Sequence, residues 1–306
     1  MRSLLLFLTV ILAPCLQAQN LSADYRPYGQ LIITQLVSAP FPHPARAKGH
    51  THNQEFFPAD KHYQDNSVAI FIPKNFRNTS AIDLVVHFHG WRHHLGNVLP
   101  EYQLIEQFVA SGRNAILIVP QGPYDAPDSF GGKLEDADGF KRFIEEVLNH
   151  LPKEKFSKPP PLGRIILSGH SGGYQVIASI LARGGLTEHV REVWLFDALY
   201  SQTDKFAAWF QNRERRFIDI YTENGGTKSE TEKLMAKLKA NGTPFFSALE
   251  AKVTDPDLSS NRLLFIFSAL PHDEVMQKHK TFAQLLKTSC LAAIKDGQTL
   301  KHIQCK

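Results

Sequence analysis

Residues 164–174 read R-I-I-L-S-G-H-S-G-G-Y, an apolar β-branched run that ends in a serine flanked by glycines. A strand-like run followed by Gly169-x-Ser171-x-Gly173 and a helical pattern is the context of a nucleophile elbow, a sharp turn that presents the serine hydroxyl at a sheet edge. The glycines lack the Cβ atoms that would collide in such a turn, and the backbone N–H of Gly172 would face an oxyanion. Short glycine motifs also recur by chance, so the pattern alone leaves Ser171 open between a nucleophile and a turn residue.

Apolar runs of strand length recur along the chain and alternate with helical patterns. The runs lie at 67–73, 83–88, 115–119, 164–167, 192–196, 217–221 and 263–267, and the helical patterns at 98–111, 134–151, 173–183, 203–212 and 229–240. This alternation predicts an α/β fold with a mostly parallel sheet of about eight strands and helices on both faces. The runs at 30–38 and 67–73 have no helix between them, so we expect the first strands to be antiparallel.

The N-terminus has the three parts of a secretory signal peptide. One Arg precedes an apolar stretch from Leu4 to Ala13, and small residues follow up to Ala18. The stretch is shorter than the about 20 residues that a membrane-spanning helix needs. We therefore expect cleavage after Ala18 and a secreted or periplasmic protein without stable membrane insertion. A lipoprotein anchored through Cys15 is the alternative, but Pro14 makes an unusual lipobox.

The charge pattern gives no sign of a polyanionic partner. The formal net charge is +4, basic residues are scattered, and their densest cluster, at 213–216, fits a solvated helix end. We expect no nucleic-acid partner. Residues 19–306 are of ordinary length for a single α/β domain, which carries an N-terminal His- and Pro-rich excursion at about 41–64.

Two cysteines, Cys290 and Cys305, remain once the leader is removed. An even count in an oxidising compartment favours a disulfide that closes the C-terminal segment. Two separate thiols are the alternative reading.

A serine nucleophile needs a base, an acid and a second oxyanion donor, and each has a candidate. His272 follows the last strand-like run, and the backbone N–H of Trp91 follows the run that ends in V-V-H-F-H-G-W. Two carboxylates, Asp197 and Glu223, lie between serine and histidine at strand ends, in the order expected of this arrangement. We favour Glu223 because it sits in a Gly-rich turn after the penultimate run; Asp197 has the commoner side chain for the task and stays the alternative acid.

Three motifs together resemble the α/β-hydrolase superfamily: Gly-His-Ser-Gly-Gly at 169–173, His-Gly-Trp at 89–91 and Pro-His-Asp at 271–273. The resemblance spans roughly residues 67–289 and implies a serine hydrolase of carbonyl substrates that works without a cofactor. The segment V-P-Q-G-P at 119–123 is similar to a loop of exported esterases of the feruloyl esterase and polyhydroxybutyrate depolymerase kind. We therefore expect a carboxylesterase with a small-molecule or polymer-linked acyl substrate, and carry over no particular substrate.

Three other functions compete with this one. An amidase or peptidase would use the same serine, acid and histidine. A metal-binding protein would draw on histidines of the excursion and its neighbourhood, namely His43, His50, His52, His62, His93 and His94, although histidines in an exposed loop are usually polar surface. A non-catalytic binding module on a hydrolase scaffold is disfavoured because every catalytic part is present in order. The sequence indicates no oligomeric state.

Overall fold

Residues 21–294, the part of the chain that the computed structural model describes, are organised around a nine-stranded sheet. The predicted leader and Cys305 lie outside the described residues. The strands are β1 Gly29–Gln35, β2 His50–His52, β3 Glu55–Phe57, β4 Ser67–Pro73, β5 Ile82–Phe88, β6 Ile116–Pro120, β7 Leu162–His170, β8 Val190–Phe196, β9 Arg216–Thr222, β10 Phe246–Leu249 and β11 Leu263–Ser268. Strands β2 and β3 pair with each other in a separate antiparallel hairpin.

Strand order explains how distant parts of the chain reach one edge of the sheet. The order is β1-β4-β6-β5-β7-β8-β9-β11-β10. The pairs β1–β4 and β4–β6 are antiparallel. The seven strands from β6 to β10 in the sheet order are all parallel to one another. This confirms the predicted α/β class and the antiparallel start. Because parallel strands end at the same edge, the segments that follow β5, β7, β8 and β11 meet there.

Helices connect the strands and cover both faces of the sheet. They span Ala59–His62, Leu95–Glu101, Leu104–Ala110, Gly139–Asn149, Tyr174–Arg183, Thr203–Phe210, Lys228–Ala240, Asp255–Ser260 and Thr281–Lys287. The helical pattern predicted over 98–111 is two helices, since Gln103 between them has a positive φ of 48° that interrupts the turn. Within the described range, no helix has the length and apolar character to cross a membrane.

The near-continuous apolarity of the central strands follows from burial on both faces. On β5, Leu84 and Val86 belong to one buried cluster and Val85, between them, belongs to the other. Successive side chains of a strand point to opposite faces, so both faces of β5 are covered by helices. This burial fixes the strand positions and therefore the places where the connecting loops leave the sheet.

The excursion at about 41–64 is folded against the loop that follows β6. Phe41, Phe57 and Tyr63 form a small buried cluster with Ala126. Arg46 ties this segment to the loop after β6, because its guanidinium donates to both carboxylate oxygens of Asp128, at 2.6 and 3.1 Å. The hairpin β2–β3 is part of the same segment.

Candidate active site

Ser171 occupies the sharp turn between β7 and the helix Tyr174–Arg183. Its φ is +51°, in the left-handed region that costs free energy for any residue other than glycine. The flanking glycines are required by close packing: a Cβ on Gly169 would lie 2.7 Å from Ile177 Cδ1, and one on Gly173 would lie 2.6 Å from the carbonyl oxygen of Phe88. The predicted elbow is therefore the observed geometry of this turn.

The loop after β5 reaches the same place. A Cβ on Gly90 would lie 2.6 Å from Ser171 Cβ and 3.2 Å from Ser171 Oγ, so only glycine lets this backbone approach the serine. Within residues 21–294, the backbone N–H of Trp91 has no hydrogen-bond acceptor. Gly172 is the second residue of a 3₁₀ turn, Ser171–Gly173, and the first N–H groups of a helical turn lack partners within it. Both predicted oxyanion donors thus flank Ser171.

His272 lies beyond β11 and is oriented by a buried carboxylate. Its Nδ1–H donates to Asp197 Oδ2 at 2.6 Å. The Asp197 side chain is fully buried, whereas that of His272 is 26% exposed. Because Nδ1 is committed to Asp197, a neutral His272 carries its other nitrogen, Nε2, as a free base.

Besides His272, two threonines donate hydrogen bonds to Asp197. The Thr222 backbone N–H donates to Oδ1 at 3.2 Å and the Thr222 hydroxyl to Oδ2 at 2.7 Å, and the Thr227 hydroxyl also donates to Oδ1. Burial alone would raise the pKa of Asp197, but the hydrogen bonds from His272 and the two threonines outweigh it and hold the pKa below its ordinary value. Asp197 is thereby kept ionised. No motif marks the two threonines, because their role depends on the packing of β9 and the next helix against β8.

The structure corrects the choice of Glu223 as the acid. Glu223 is 58% exposed, and its carboxylate accepts from Lys228 Nζ at 2.7 and 2.9 Å. The Gly-rich turn that contains Glu223 packs against Asp197. A Cβ on Gly225 would lie 1.7 Å from Asp197 Oδ2, so only glycine fits there. Of the two candidates, only Asp197 meets His272.

A chain of hydrogen bonds joins the loop of Trp91 to the loop of His272. His93 Nδ1 bonds the carbonyl of Trp91 at 2.8 Å, and the Tyr102 hydroxyl lies 3.1 Å from His93 Nε2 and 3.0 Å from His170 Nδ1. His170 Nε2 bonds the carbonyl of His272 at 3.1 Å. The chain ties both loops to the residue that precedes the serine, a role that sequence reasoning missed for His170 and Tyr102.

The protonation of His170 sets the direction of two of these bonds. Burial lowers the pKa of His170 to about 3, so His170 stays neutral. Its Nε2–H donates to the carbonyl of His272, and its Nδ1 therefore accepts from the Tyr102 hydroxyl.

Tyr200 is a further neighbour of Ser171 and His272 that no motif indicated. Its hydroxyl donates to the carbonyl of Gly225 at 2.7 Å, and its ring centroid lies 6.5 Å from that of His272. Burial raises the pKa of Tyr200 to about 12, although a hydrogen bond from Ser171 acts against this rise. The phenol is therefore neutral and lies against the serine.

His87 and His89, at the end of β5, are held by hydrogen bonds within the scaffold. His89 Nε2 accepts from the backbone N–H of Gly122 at 2.9 Å, and Nδ1 bonds the carbonyl of Gly90 at 2.8 Å. Burial lowers the pKa of His89 to about 4. His87 bonds Ser168 Oγ at 3.0 Å, and burial lowers its pKa well below the ordinary value. Both imidazoles are neutral parts of the scaffold.

The six histidines considered for a metal have separate partners. His43 lies 3.5 Å from Asp136, the His52 ring packs on Trp91, and the His94 ring stacks on Tyr124. Among the described residues, the one group of three candidate ligands that converges is His170, His272 and Asp273. The histidine cluster suggested by the sequence is therefore not assembled in space.

No protein-family model and no curated protein matches this chain. Solved structures do resemble it. A ferulic acid esterase aligns with a TM-score of 0.53 at 12% identity over 85% of this chain and 98% of its own. The feruloyl esterase module of Clostridium thermocellum, complexed with sinapinate, aligns with a TM-score of 0.52 at 11% identity over 90% and 92%.

A fluorophosphonate-binding serine hydrolase of Staphylococcus aureus aligns with a TM-score of 0.51 at 10% identity, over 86% of this chain and 99% of its own. At such low identity these likenesses concern the fold. Together with the strand order, they show that the chain has the α/β-hydrolase fold, as the three sequence motifs predicted.

Proposed function

We propose that the protein is a serine hydrolase that cleaves carboxylic esters through an acyl-enzyme on Ser171. The observation that carries the proposal is the hydrogen bond of 2.6 Å between His272 Nδ1 and Asp197, at the sheet edge where Ser171 occupies a strained turn after β7. Nucleophile, base and orienting carboxylate are the parts of a catalytic triad, which is recognised by geometry and roles. The serine hydrolases and esterases among proteins of this fold support the same function.

The chemistry follows from the positions of these groups. Ser171 Oγ attacks the acyl carbon while its proton passes to His272 Nε2, and Asp197 stabilises the imidazolium that forms. Collapse of the tetrahedral intermediate breaks the bond to the alcohol oxygen, which takes the proton from His272. A water molecule, deprotonated by the same imidazole, then releases the acid and restores the serine.

The negative charge of each tetrahedral intermediate needs donors that are already in place. The backbone N–H groups of Trp91 and Gly172 serve this purpose. Fixed donors stabilise charge without reorganisation, and the loss of one such donor typically costs about 10²–10³-fold in kcat. The close contact of Gly90 with Ser171 holds the first donor at the serine.

Labelling with a fluorophosphonate probe tests the nucleophile, and matched p-nitrophenyl esters and p-nitroanilides test the bond that is cleaved. We expect one label on the wild-type protein, none on Ser171→Ala, and faster hydrolysis of esters than of anilides. The absence of both labelling and hydrolysis by the wild-type protein would overturn the proposal. Faster hydrolysis of anilides would replace the esterase with an amidase.

We further propose that the protein is exported, with its leader removed after Ala18 and with Cys290 bonded to Cys305. The apolar leader and the even cysteine count of the mature chain support this. N-terminal sequencing of protein from the secreted or periplasmic fraction should begin at Gln19. Thiol titration of the unreduced, unfolded protein should find no thiol; two thiols would contradict the disulfide.

A further inference from the structure

A small cavity lies next to the proposed oxyanion donor Gly172. Its volume is about 20 Å³, and its walls include Phe88, His89, Ser129, Phe130, Gly172 and Val176. A cavity of this size holds about one water molecule. A group bound to the carbonyl carbon of a substrate and placed in this cavity would therefore have to be small.

The position of the cavity identifies the part of the substrate that it would receive. The departing alcohol must face His272, which donates its proton, so the acyl group extends from Ser171 in the opposite direction. His272 follows β11, on one side of β7 in the sheet, whereas His89 and Gly122, which line the cavity, follow β5 and β6 on the other side. We call the side of β5 and β6 the acyl side; the cavity lies there.

The side chain of Trp91 restricts the acyl side further. Its Nε1–H donates to Ser129 Oγ at 2.8 Å. Its ring atoms Cδ1 and Nε1 lie 2.8 and 3.0 Å from the point that a Cβ on Gly172 would occupy, and Ser129 Oγ lies 2.7 Å from it. The indole thus covers Gly172 and is fixed to a residue of the cavity wall, while the ring of His52 packs on it at 4.9 Å between centroids.

The alcohol side is open by comparison. His272 is partly exposed, and its neighbours Pro271 and Asp273 are exposed, as are Glu223 and Gly226 on the adjacent turn. Tyr200 lies beside Ser171 and His272 on this side, but its hydroxyl is held by the carbonyl of Gly225, and His272 remains 26% exposed. The site would therefore restrict the size of an ester's acyl group more than the size of its alcohol group.

We propose that the protein hydrolyses esters of short acyl groups, of about acetyl size, and that Trp91, held by Ser129, sets this limit. The inference rests on the proposed esterase function. It assigns to the Trp91 side chain a role in specificity that is separate from the oxyanion role of its backbone N–H.

The test compares kcat/KM for p-nitrophenyl acetate, butyrate and octanoate. One extra methylene changes binding in a defined pocket by about 10–200-fold, so we expect wild-type protein to prefer acetate over butyrate by about 100-fold or more. Trp91→Ala should reduce this preference by about 10-fold or more by gaining activity on butyrate. Ser129→Ala, which releases the indole, should shift the preference in the same direction by a smaller factor.

Phe56→Ala provides the matched control. Phe56 is an aromatic residue of the β2–β3 hairpin and is 58% exposed, against 42% for Trp91, but its ring packs beside Gly49 rather than Gly172. Its removal should leave the acetate-to-butyrate ratio unchanged. Thermal unfolding of each variant establishes that it is folded.

The outcomes separate the two proposals. Hydrolysis of octanoate as fast as acetate by the wild-type protein overturns the acyl limit and leaves the esterase standing. A folded Trp91→Ala protein with the wild-type ratio overturns the part assigned to Trp91. If the wild-type protein hydrolyses no ester and Ser171 takes no label, the esterase itself fails, and the acyl limit fails with it.

Discussion

Asp197 and Glu223 follow neighbouring strands of one sheet and end at the same edge, yet their surroundings differ in every respect. Asp197 is fully buried and accepts hydrogen bonds from His272, Thr222 and Thr227. Glu223 is 58% exposed and bonds only Lys228 among the described residues. Strand ends bring both carboxylates near the site, but only one of them is desolvated and supplied with donors.

The comparison shows what makes a carboxylate suitable for orienting a histidine. A buried carboxylate attracts an imidazolium strongly because little water screens the pair, whereas an exposed ion pair contributes little. Burial has a cost, since an ionised group must be given hydrogen-bond partners. The two threonines and the backbone of Thr222 meet this need at Asp197.

The largest expected effect comes from exchanging these carboxylates for amides. Asp197→Asn should lower kcat by about 10⁴-fold, because an amide does not hold the imidazole in the required tautomer. Glu223→Gln should stay within about twofold of wild type, as surface changes usually do. Steady-state kinetics on p-nitrophenyl acetate measures both. A greater loss in Glu223→Gln than in Asp197→Asn would reverse the assignment.

A third carboxyl, Asp219, sharpens the comparison because it is buried without a histidine. It accepts from the Thr231 hydroxyl at 2.6 Å, and its Oδ1 has no partner among the described residues. Burial raises the pKa of Asp219 to about 7. The folded protein therefore keeps a proton that the unfolded chain releases near pH 4, so stability is lost as pH rises from about 4 to 7.

We expect this group to cost up to about 4 kcal/mol of unfolding free energy across that window. Asp219→Asn should remove the loss and flatten the dependence on pH, as measured by urea unfolding at pH 5 and pH 8. Asp204→Asn, a change at an exposed ion pair with Lys237, is the control and should unfold with the wild-type pH dependence. Equal slopes for wild type and Asp219→Asn would show that Asp219 is ionised in the folded protein.

Gly225→Ala tests whether the Gly-rich turn serves Asp197. The new Cβ would lie 1.7 Å from Asp197 Oδ2, so the turn or the carboxylate must move. We expect a loss of about 1–3 kcal/mol in unfolding free energy, typical of overpacking, together with a lower kcat. Asn224→Ala, at an exposed position of the same turn, should change neither. Wild-type turnover in Gly225→Ala would show that the turn does not support Asp197.

The smallest effect is expected at the partner of Glu223. Lys228→Ala removes an ion pair that lies in solvent, where screening leaves such pairs with little influence. Turnover and melting temperature should match those of the wild-type protein. A fall in turnover would indicate that this ion pair shapes the alcohol side of the site.

Local sequence was sufficient for the parts of the site that depend on local geometry. The elbow at Ser171 was predictable because a strand, a glycine-flanked serine and a helix follow one another without interruption. His272 was predictable because it is the histidine directly after the last strand. The sequence did not distinguish Asp197 from Glu223 as the acid, because both residues lie at strand ends between Ser171 and His272.

The sequence by itself predicted the α/β class and the residues proposed here as nucleophile, base and oxyanion donors, all of which follow from strand periodicity and short motifs. Tertiary structure decided which carboxylate bonds His272, the hydrogen bonds through Tyr102 and His170, and the cover that Trp91 forms over Gly172. Each of these depends on side chains that are far apart in sequence and meet only when neighbouring strands pack. Burial and hydrogen-bond supply are properties of that packing, which is why the choice of carboxylate needed the fold.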